Sequence, residues 1–325
     1  MAVRRGRALV RRRRAVVGLI ALLTFGVAAA PRAHAAEPYV LHADLDYDLG
    51  SPVSPAAQNR LDLFVPRRPA PRQRRQSVRR RPVVVYVHGG GWQAGDKRGV
   101  GHKARLFTSA GYLFASVNYR LSPSDRGSPA ADRVRFPDHP HDVGEALGWL
   151  TRNVGRYGGN ADRLVLIGHS AGAQLASLVG VDTSYSTAYG VPARAVRGVV
   201  SLDTAAFDIA AAADPARSRR PQLFWNAFGT PQEEAGEARW ASASPIGFAG
   251  RGDPPFLLVT QRRAERVAEN AAMVRALGDR RSDSLVAVPL THAGINRILG
   301  SARDTTGETA AVMAFVAAVV GRPRR

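Results

Sequence analysis

The most constraining stretch of this chain is a run of nine residues. Leu164-Val165-Leu166-Ile167 stops at Gly168-His169-Ser170-Ala171-Gly172, and a second apolar pattern resumes at once over residues 174–181. The first run has strand length, and the second has the spacing of a helix. No linker separates them, so the backbone must turn sharply from strand to helix. Only absent or very small side chains fit beside such a turn, which accounts for Gly168, Ala171 and Gly172. The residue at its tip, Ser170, is held at strained dihedrals and presented outward. A second motif, His88-Gly89-Gly90-Gly91-Trp92, follows another uninterrupted apolar run, Val83-Val84-Val85-Tyr86-Val87. Uninterrupted apolar strands belong inside a sheet covered on both faces.

The rest of the chain repeats this alternation. Residues 60–66 begin with polar/apolar alternation, as an early edge strand would. Residues 113–117, 162–167, 196–202, 256–260 and 284–288 read as further strands. Helical patterns fall over 106–110, 141–157, 174–181, 267–277 and 309–320. Alternating strands and helices of this length define an α/β class with a mostly parallel central sheet covered by helices on both faces. Between 207 and 252 the periodicity weakens while alanine, proline and aromatics rise, with Phe224, Trp225, Phe228 and Trp240 among them. That stretch reads as a lid-like insertion within a single domain spanning residues 36–325.

Residues 1–35 read as an export signal. A basic segment containing Arg4, Arg5, Arg7 and Arg11 precedes an apolar run, and Ala33-His34-Ala35 fits a cleavage pattern. Export from a bacterium to the cell envelope or the medium is the corresponding expectation. With no cysteine, the chain has no disulfides, no thiolate nucleophile and no Cys-based zinc site. The net charge of +20 is concentrated. The leader holds many of the arginines, and the stretch 67–81, which runs from Arg67 to Arg81 with proline and glutamine, reads as a solvated basic loop. That loop offers contact with an anionic surface or polymer. Nothing resembles an aromatic-and-basic nucleic-acid platform or a zinc finger, so no nucleic-acid partner is expected.

A serine hydroxyl needs a base. His292, just beyond the last strand, is placed where a loop returns to Ser170. His169 is adjacent to the serine in sequence but badly placed as its base, and is expected to shape the substrate pocket or pack on the sheet. Gly89 and Gly90 offer backbone N–H groups with no Cβ in the way, and with the N–H of Ala171 they form a candidate oxyanion hole. A phosphate loop is the rival, but the Lys-Ser/Thr ending is missing. Trp92, Phe224 and Trp225 are expected to wall the pocket. His139-Pro140-His141, flanked by Asp138 and Asp142, lacks a third ligand set, so neither a metal nor any other cofactor is expected. The orienting carboxylate should lie between the serine and His292 in the chain. Glu265, the one carboxylate in the loop after residues 256–260, takes that assignment. Asp203, Asp279 and Asp283 compete.

Taken together, these residues resemble the α/β-hydrolase esterases of the hormone-sensitive-lipase and BD-FAE-like groups. The likeness rests on Arg60-Leu61-Asp62-Leu63, His88 to Trp92, Val117-Asn118-Tyr119-Arg120-Leu121, Phe136-Pro137 with Asp142 and Trp149, Tyr157-Gly158-Gly159-Asn160 and Gly168 to Gly172. Ser244-Pro245, Pro254-Pro255-Phe256 and His292 with Asn296 complete it. The resemblance implies Ser170 as nucleophile, His292 as base, and Gly89 with Gly90 as oxyanion donors. Such relatives usually carry an aspartate in a Gly-x-x-Asp context after the penultimate strand, where this chain reads Arg262-Arg263-Ala264-Glu265. The expected chemistry is hydrolysis of a short-chain acyl ester, or of an acetylated polymer, through an acyl-enzyme. A formamide substrate, a polysaccharide deacetylase and a degenerate binding module on the same fold are the alternatives.

Overall fold

The computed structural model describes residues 37–48, 58–67, 80–123, 133–216, 221–233 and 236–321. The leader 1–35 and most of the basic stretch 67–81 lie outside them. At the near end of that stretch the Arg67 guanidinium donates to the carbonyl of Glu37 at 2.8 Å, and at the far end Arg81 opens a strand.

Among the described residues the strands are β1 (Tyr39–Asp46), β2 (Arg60–Pro66), β3 (Arg81–Val87), β4 (Leu113–Val117), β5 (Gly159–His169), β6 (Val196–Leu202), β7 (Phe256–Gln261) and β8 (Ser284–Val288). They form one sheet in the order β1-β2-β4-β3-β5-β6-β7-β8. β1 and β2 run antiparallel to their neighbours, and every pairing from β4 through β8 is parallel. The helices are α1 (Lys103–Ser109), α2 (Asp138–Asn153), α3 (Ala171–Val181), α4 (Ser184–Thr187), α5 (Ile209–Ala213), α6 (Pro221–Phe228), α7 (Gly236–Ser242), α8 (Ala264–Ala276), α9 (His292–Ile298) and α10 (Glu308–Val320).

Each central strand feeds two cores. Val83, Val85 and Val87 point into one with Val143, Leu147 and Leu150 of α2 and Leu175 of α3. Val84 and Tyr86 point into the other with Phe107 of α1 and Val312 and Val316 of α10. Period-two alternation across a run without polar residues is what two helix layers require. The exit of β4 is anchored by a buried pair: Arg120 donates from its backbone N–H and guanidinium to Asp142 of α2 at 2.8–3.0 Å.

Three features differ from the sequence reading. Residues 60–66 form an interior strand, because β1 pairs along the outer side of β2. β1 itself escaped notice since it leaves Val40 and Leu41 exposed and carries no clean alternation. The helix expected from His141 begins at Asp138, placing Pro140 in the first turn, where no intrahelical N–H is required. Finally, His292 opens a short helix, α9, rather than sitting in a loop. The side chain of Thr291 accepts the N–H of Gly294 at 3.1 Å and caps it.

Candidate active site

The C-terminal ends of β3, β5 and β6 and the start of α9 bring the candidate residues together. Ser170 follows the last residue of β5 and precedes the first residue of α3, at φ 56° and ψ −119°. This left-handed backbone is one a side-chain-bearing residue adopts only when the surroundings enforce it. The enforcement is visible on both sides. A Cβ on Gly168 would lie 2.1 Å from the carbonyl oxygen of Gly172, and one on Gly172 would lie 2.2 Å from that of Val87. Strand, turn and helix are thus packed backbone to backbone, and the turn is further pinned by the Ser170 N–H donating to the Leu202 carbonyl at 3.0 Å.

That hydrogen bond sets Ser170 beside the next strand. His169 pairs with Leu202 across the ladder, so Ser170 and Asp203 each stand one residue past a matched pair. Asp203 also has a positive φ, 50°. Its carboxylate is fully buried and receives donors on both oxygens. Oδ1 accepts from the Thr260 hydroxyl at 3.0 Å and the Gln261 N–H at 3.2 Å. Oδ2 accepts from the Gln261 amide at 2.7 Å and from His292 Nδ1 at 2.7 Å. A carboxylate this well supplied accepts only, so Nδ1 of His292 carries the proton and Nε2 is left as the basic nitrogen. Burial by itself would push the Asp203 carboxyl up. The His292 hydrogen bond, the Arg266 charge and the Gln261 donors outweigh it and hold the group well below the usual carboxylate range.

Glu265 is therefore corrected as the imidazole's partner. It lies exposed in the first turn of α8, where a carboxylate suits the helix dipole. Asp283 is committed elsewhere, to Arg280 and the Phe256 N–H. Asp203 was among the competing candidates. Chain position favoured Glu265, whereas the ladder register between β5 and β6, which places Asp203 beside the serine, emerges only from the fold.

The glycine loop packs against the same turn. A Cβ on Gly89 would lie 3.1 Å from the Cβ of Ser170, and Gly90 and Gly91 have φ of 128° and 61°. The N–H groups of Gly89 and Gly90 have no backbone acceptor among the described residues. Ala171 is the first residue of α3, where the N–H has no intrahelical partner. His88 braces the loop from below. Its Nδ1–H donates to the Gly89 carbonyl at 2.8 Å, its ring stacks on Tyr119 with centroids 4.6 Å apart, and burial lowers its pKa.

The residues expected to wall the pocket divide. Trp92 is 2 % exposed, its indole N–H donates to Gln174 at 3.0 Å, and its ring meets Phe224 and Phe228. It supports the wall from within the core. Leu223, which sequence reasoning passed over, approaches Gly91 closely: a Cβ there would lie 2.8 Å from its Cδ1. Leu223 is 40 % exposed, so α6 lays an apolar residue directly over the glycine loop. Trp225 donates to the Ala213 carbonyl at 2.8 Å and borders a cleft of about 110 Å³ with Arg133, Arg135 and Glu233. None of Ser170, Asp203 and His292 lines that cleft. His169 lies against His292 itself.

Strand order, helix layers and a serine at a strained strand-to-helix turn define an α/β-hydrolase. The BD-FAE family model matches residues 70–273, and the chain belongs to that family. Among curated proteins it is similar to the probable carboxylic ester hydrolase LipM of Mycobacterium tuberculosis, 37% identical over 98 residues, covering 30% of this chain and 21% of the relative. It is also similar to the kynurenine formamidase avaC of Aspergillus versicolor, 37% identical over 115 residues, covering 32% of this chain and 37% of the relative. The chain spans less than half the length of the first curated relatives it matches. A truncated form of a carbohydrate esterase from gut microbiota shares the fold, with a TM-score of 0.62, 16% identity, and coverage of 86% of this chain and 97% of that one.

Proposed function

We propose that the chain is a serine carboxylesterase that hydrolyses short-chain acyl esters through an acyl-enzyme. The observation that carries this reading is the 2.7 Å hydrogen bond from His292 Nδ1–H to Asp203, made at the C-terminal end of the central strands, where β5 presents Ser170. In the proposed reaction, Nε2 of His292 takes the Ser170 proton as Oγ attacks the ester carbonyl. The N–H groups of Gly89, Gly90 and Ala171 receive the oxyanion, each such donor contributing about 3 kcal/mol to the transition state. Protonated His292, stabilised by Asp203, gives its proton to the leaving alcohol. The neutral imidazole then takes a proton from the water that attacks the acyl-enzyme and returns it to Ser170 Oγ as the acid leaves. Leu223 over the glycine loop, with Phe224 packed against Trp92, supports a small apolar acyl site. The leader supports action outside the cytoplasm.

A formamide substrate is the second reading, favoured by the likeness to a kynurenine formamidase. Both are tested by assaying the full chain and Ser170→Ala on p-nitrophenyl esters from acetate to decanoate, beside an N-formyl arylamine. The expected result is turnover highest on acetate or butyrate that falls by about 10⁶-fold in the variant, the order of magnitude of losing a serine nucleophile. Equal turnover by the variant would refute the serine mechanism. Serine-dependent turnover confined to the formamide would select the second reading.

A further inference from the structure

The proposed chemistry uses His292 but leaves a second imidazole in contact with it unexplained. His169 is the last residue of β5 and is 8 % exposed. Its ring lies against that of His292, with centroids 4.6 Å apart and planes tilted by 37°. Its Nε2 is 3.0 Å from the backbone carbonyl oxygen of His292. A carbonyl only accepts, so Nε2 carries the proton and Nδ1 is bare. Nδ1 faces Gly89: a Cβ on that glycine would lie 2.9 Å away. The charged groups around the ring are His292, Lys103 and Asp203. Burial, followed by the His292 charge, holds His169 down at about 4, so the ring is neutral when the contact is made.

We propose that His169 is a positioning residue for the base. It donates a hydrogen bond to the main chain of His292 and supports one face of its ring. The need is physical. The His292 side chain is 41 % exposed, and His292 is the first residue of a seven-residue helix, a place where helices fray. Asp203 fixes only one edge of the imidazole. His169 fixes the backbone from which that ring hangs, and it does so from the residue next to Ser170. The base is thereby referenced to the same strand end as the serine. A displacement of about 1 Å between reacting groups can cost about 10²-fold in rate, so this contact should appear in kcat rather than in KM.

The inference rests on the esterase reading, and its test separates the two. His169→Phe keeps a planar ring and removes the donor. His169→Gln places an amide N–H near the position of Nε2. His169→Asn is too short to reach. Each is made in the full chain and assayed on p-nitrophenyl acetate beside wild type and Ser170→Ala. The low-field resonance of the His292 Nδ1 proton, identified by its absence in Asp203→Asn, is recorded by NMR for every variant. The Phe and Asn variants are expected to lose about 30-fold in kcat with KM within about twofold, and to broaden that resonance. The Gln variant is expected to recover kcat to within about threefold of wild type and to keep the resonance sharp. Wild-type kcat in the Phe variant, or equal losses in the Gln and Phe variants, would overturn the proposal. If His169→Phe does not fold, His169→Asn against His169→Gln decides it. If wild type shows no Ser170-dependent turnover, the esterase reading fails, and the resonance alone decides the positioning role: unchanged in the Phe and Asn variants, it refutes the role.

Discussion

Asp203 and Glu308 are both carboxyl groups with no exposed surface, yet their surroundings drive them in opposite directions. Asp203 sits at the end of β6 with four donors on its two oxygens and is held ionised. Glu308 opens α10, and neither of its oxygens has a hydrogen-bond partner among the described residues. Burial pushes its pKa up to about 8, the Asp304 charge adds to this, and Lys103 opposes it. Burial is thus common to both, and donors decide the charge. The exposed Glu265 completes the contrast. It has the chain position expected of an orienting acid but neither the burial nor the imidazole that would make it one.

The sharpest way to break this comparison is to remove each candidate acid separately. Asp203→Asn keeps the shape but cannot hold His292 in the Nδ1–H tautomer. It is expected to lower kcat by about 10³–10⁴-fold on p-nitrophenyl acetate. Glu265→Gln is expected to stay within about twofold of wild type, since an exposed first-turn carboxylate contributes only about 0.3–1 kcal/mol to the helix and nothing to the imidazole. Reversed effects would return the role to Glu265.

The donors around Asp203 can be tested more gently. Gln261→Leu removes the amide that shares Oδ2 with His292 while keeping the backbone N–H on Oδ1. A charge-assisted hydrogen bond is lost, worth about 1.5–3 kcal/mol where it is made. We expect kcat to fall about 10-fold, with KM nearly unchanged. An unaltered kcat would mean that the His292, Thr260 and backbone N–H donors keep the carboxylate ionised without the amide.

The same contrast explains what was legible beforehand. The runs at 83–87 and 164–167 announced central strands because unbroken apolar sequence has few other uses. Gly168, Ser170 and Gly172 announced their turn because side chains cannot fit there. The glycine loop at Gly89 and Gly90 was readable for the same steric reason. Asp203 was legible only as one of several acids. Its selection depends on β5 and β6 being neighbours in register, and sequence spacing does not encode which strands pair. The helix at His292 was hidden by its length, although Thr291 three residues before Gly294 was a capping signal. The contact of His169 with His292 joins residues 123 positions apart and has no local signature.

The smallest expected effect concerns Glu308 and isolates its proton. Its folded pKa, about 8, lies above the ordinary value of 4.5. Between those values the folded state keeps a proton that the unfolded chain releases, so Glu308 contributes stability at low pH that is lost as pH rises toward 8. Asp203 acts in the other direction and in a different window: its pKa is depressed, so its contribution is present above the ordinary value of 3.8 and disappears in acid. Lys103, held down at about 8 by burial, changes the balance chiefly above that pH. Glu308→Gln removes the titration and leaves a neutral side chain of the same length. The difference in Tm between the variant and wild type should therefore grow in the variant's favour from pH 5 to pH 8.5, by about 2–4 °C for each kcal/mol that ionisation costs. Other titrating groups, including His169 and His88, are common to both proteins and cancel in that difference. A difference that stays flat across the window would show that Glu308 is ionised throughout and that Lys103 compensates for it, which would remove the contrast with Asp203.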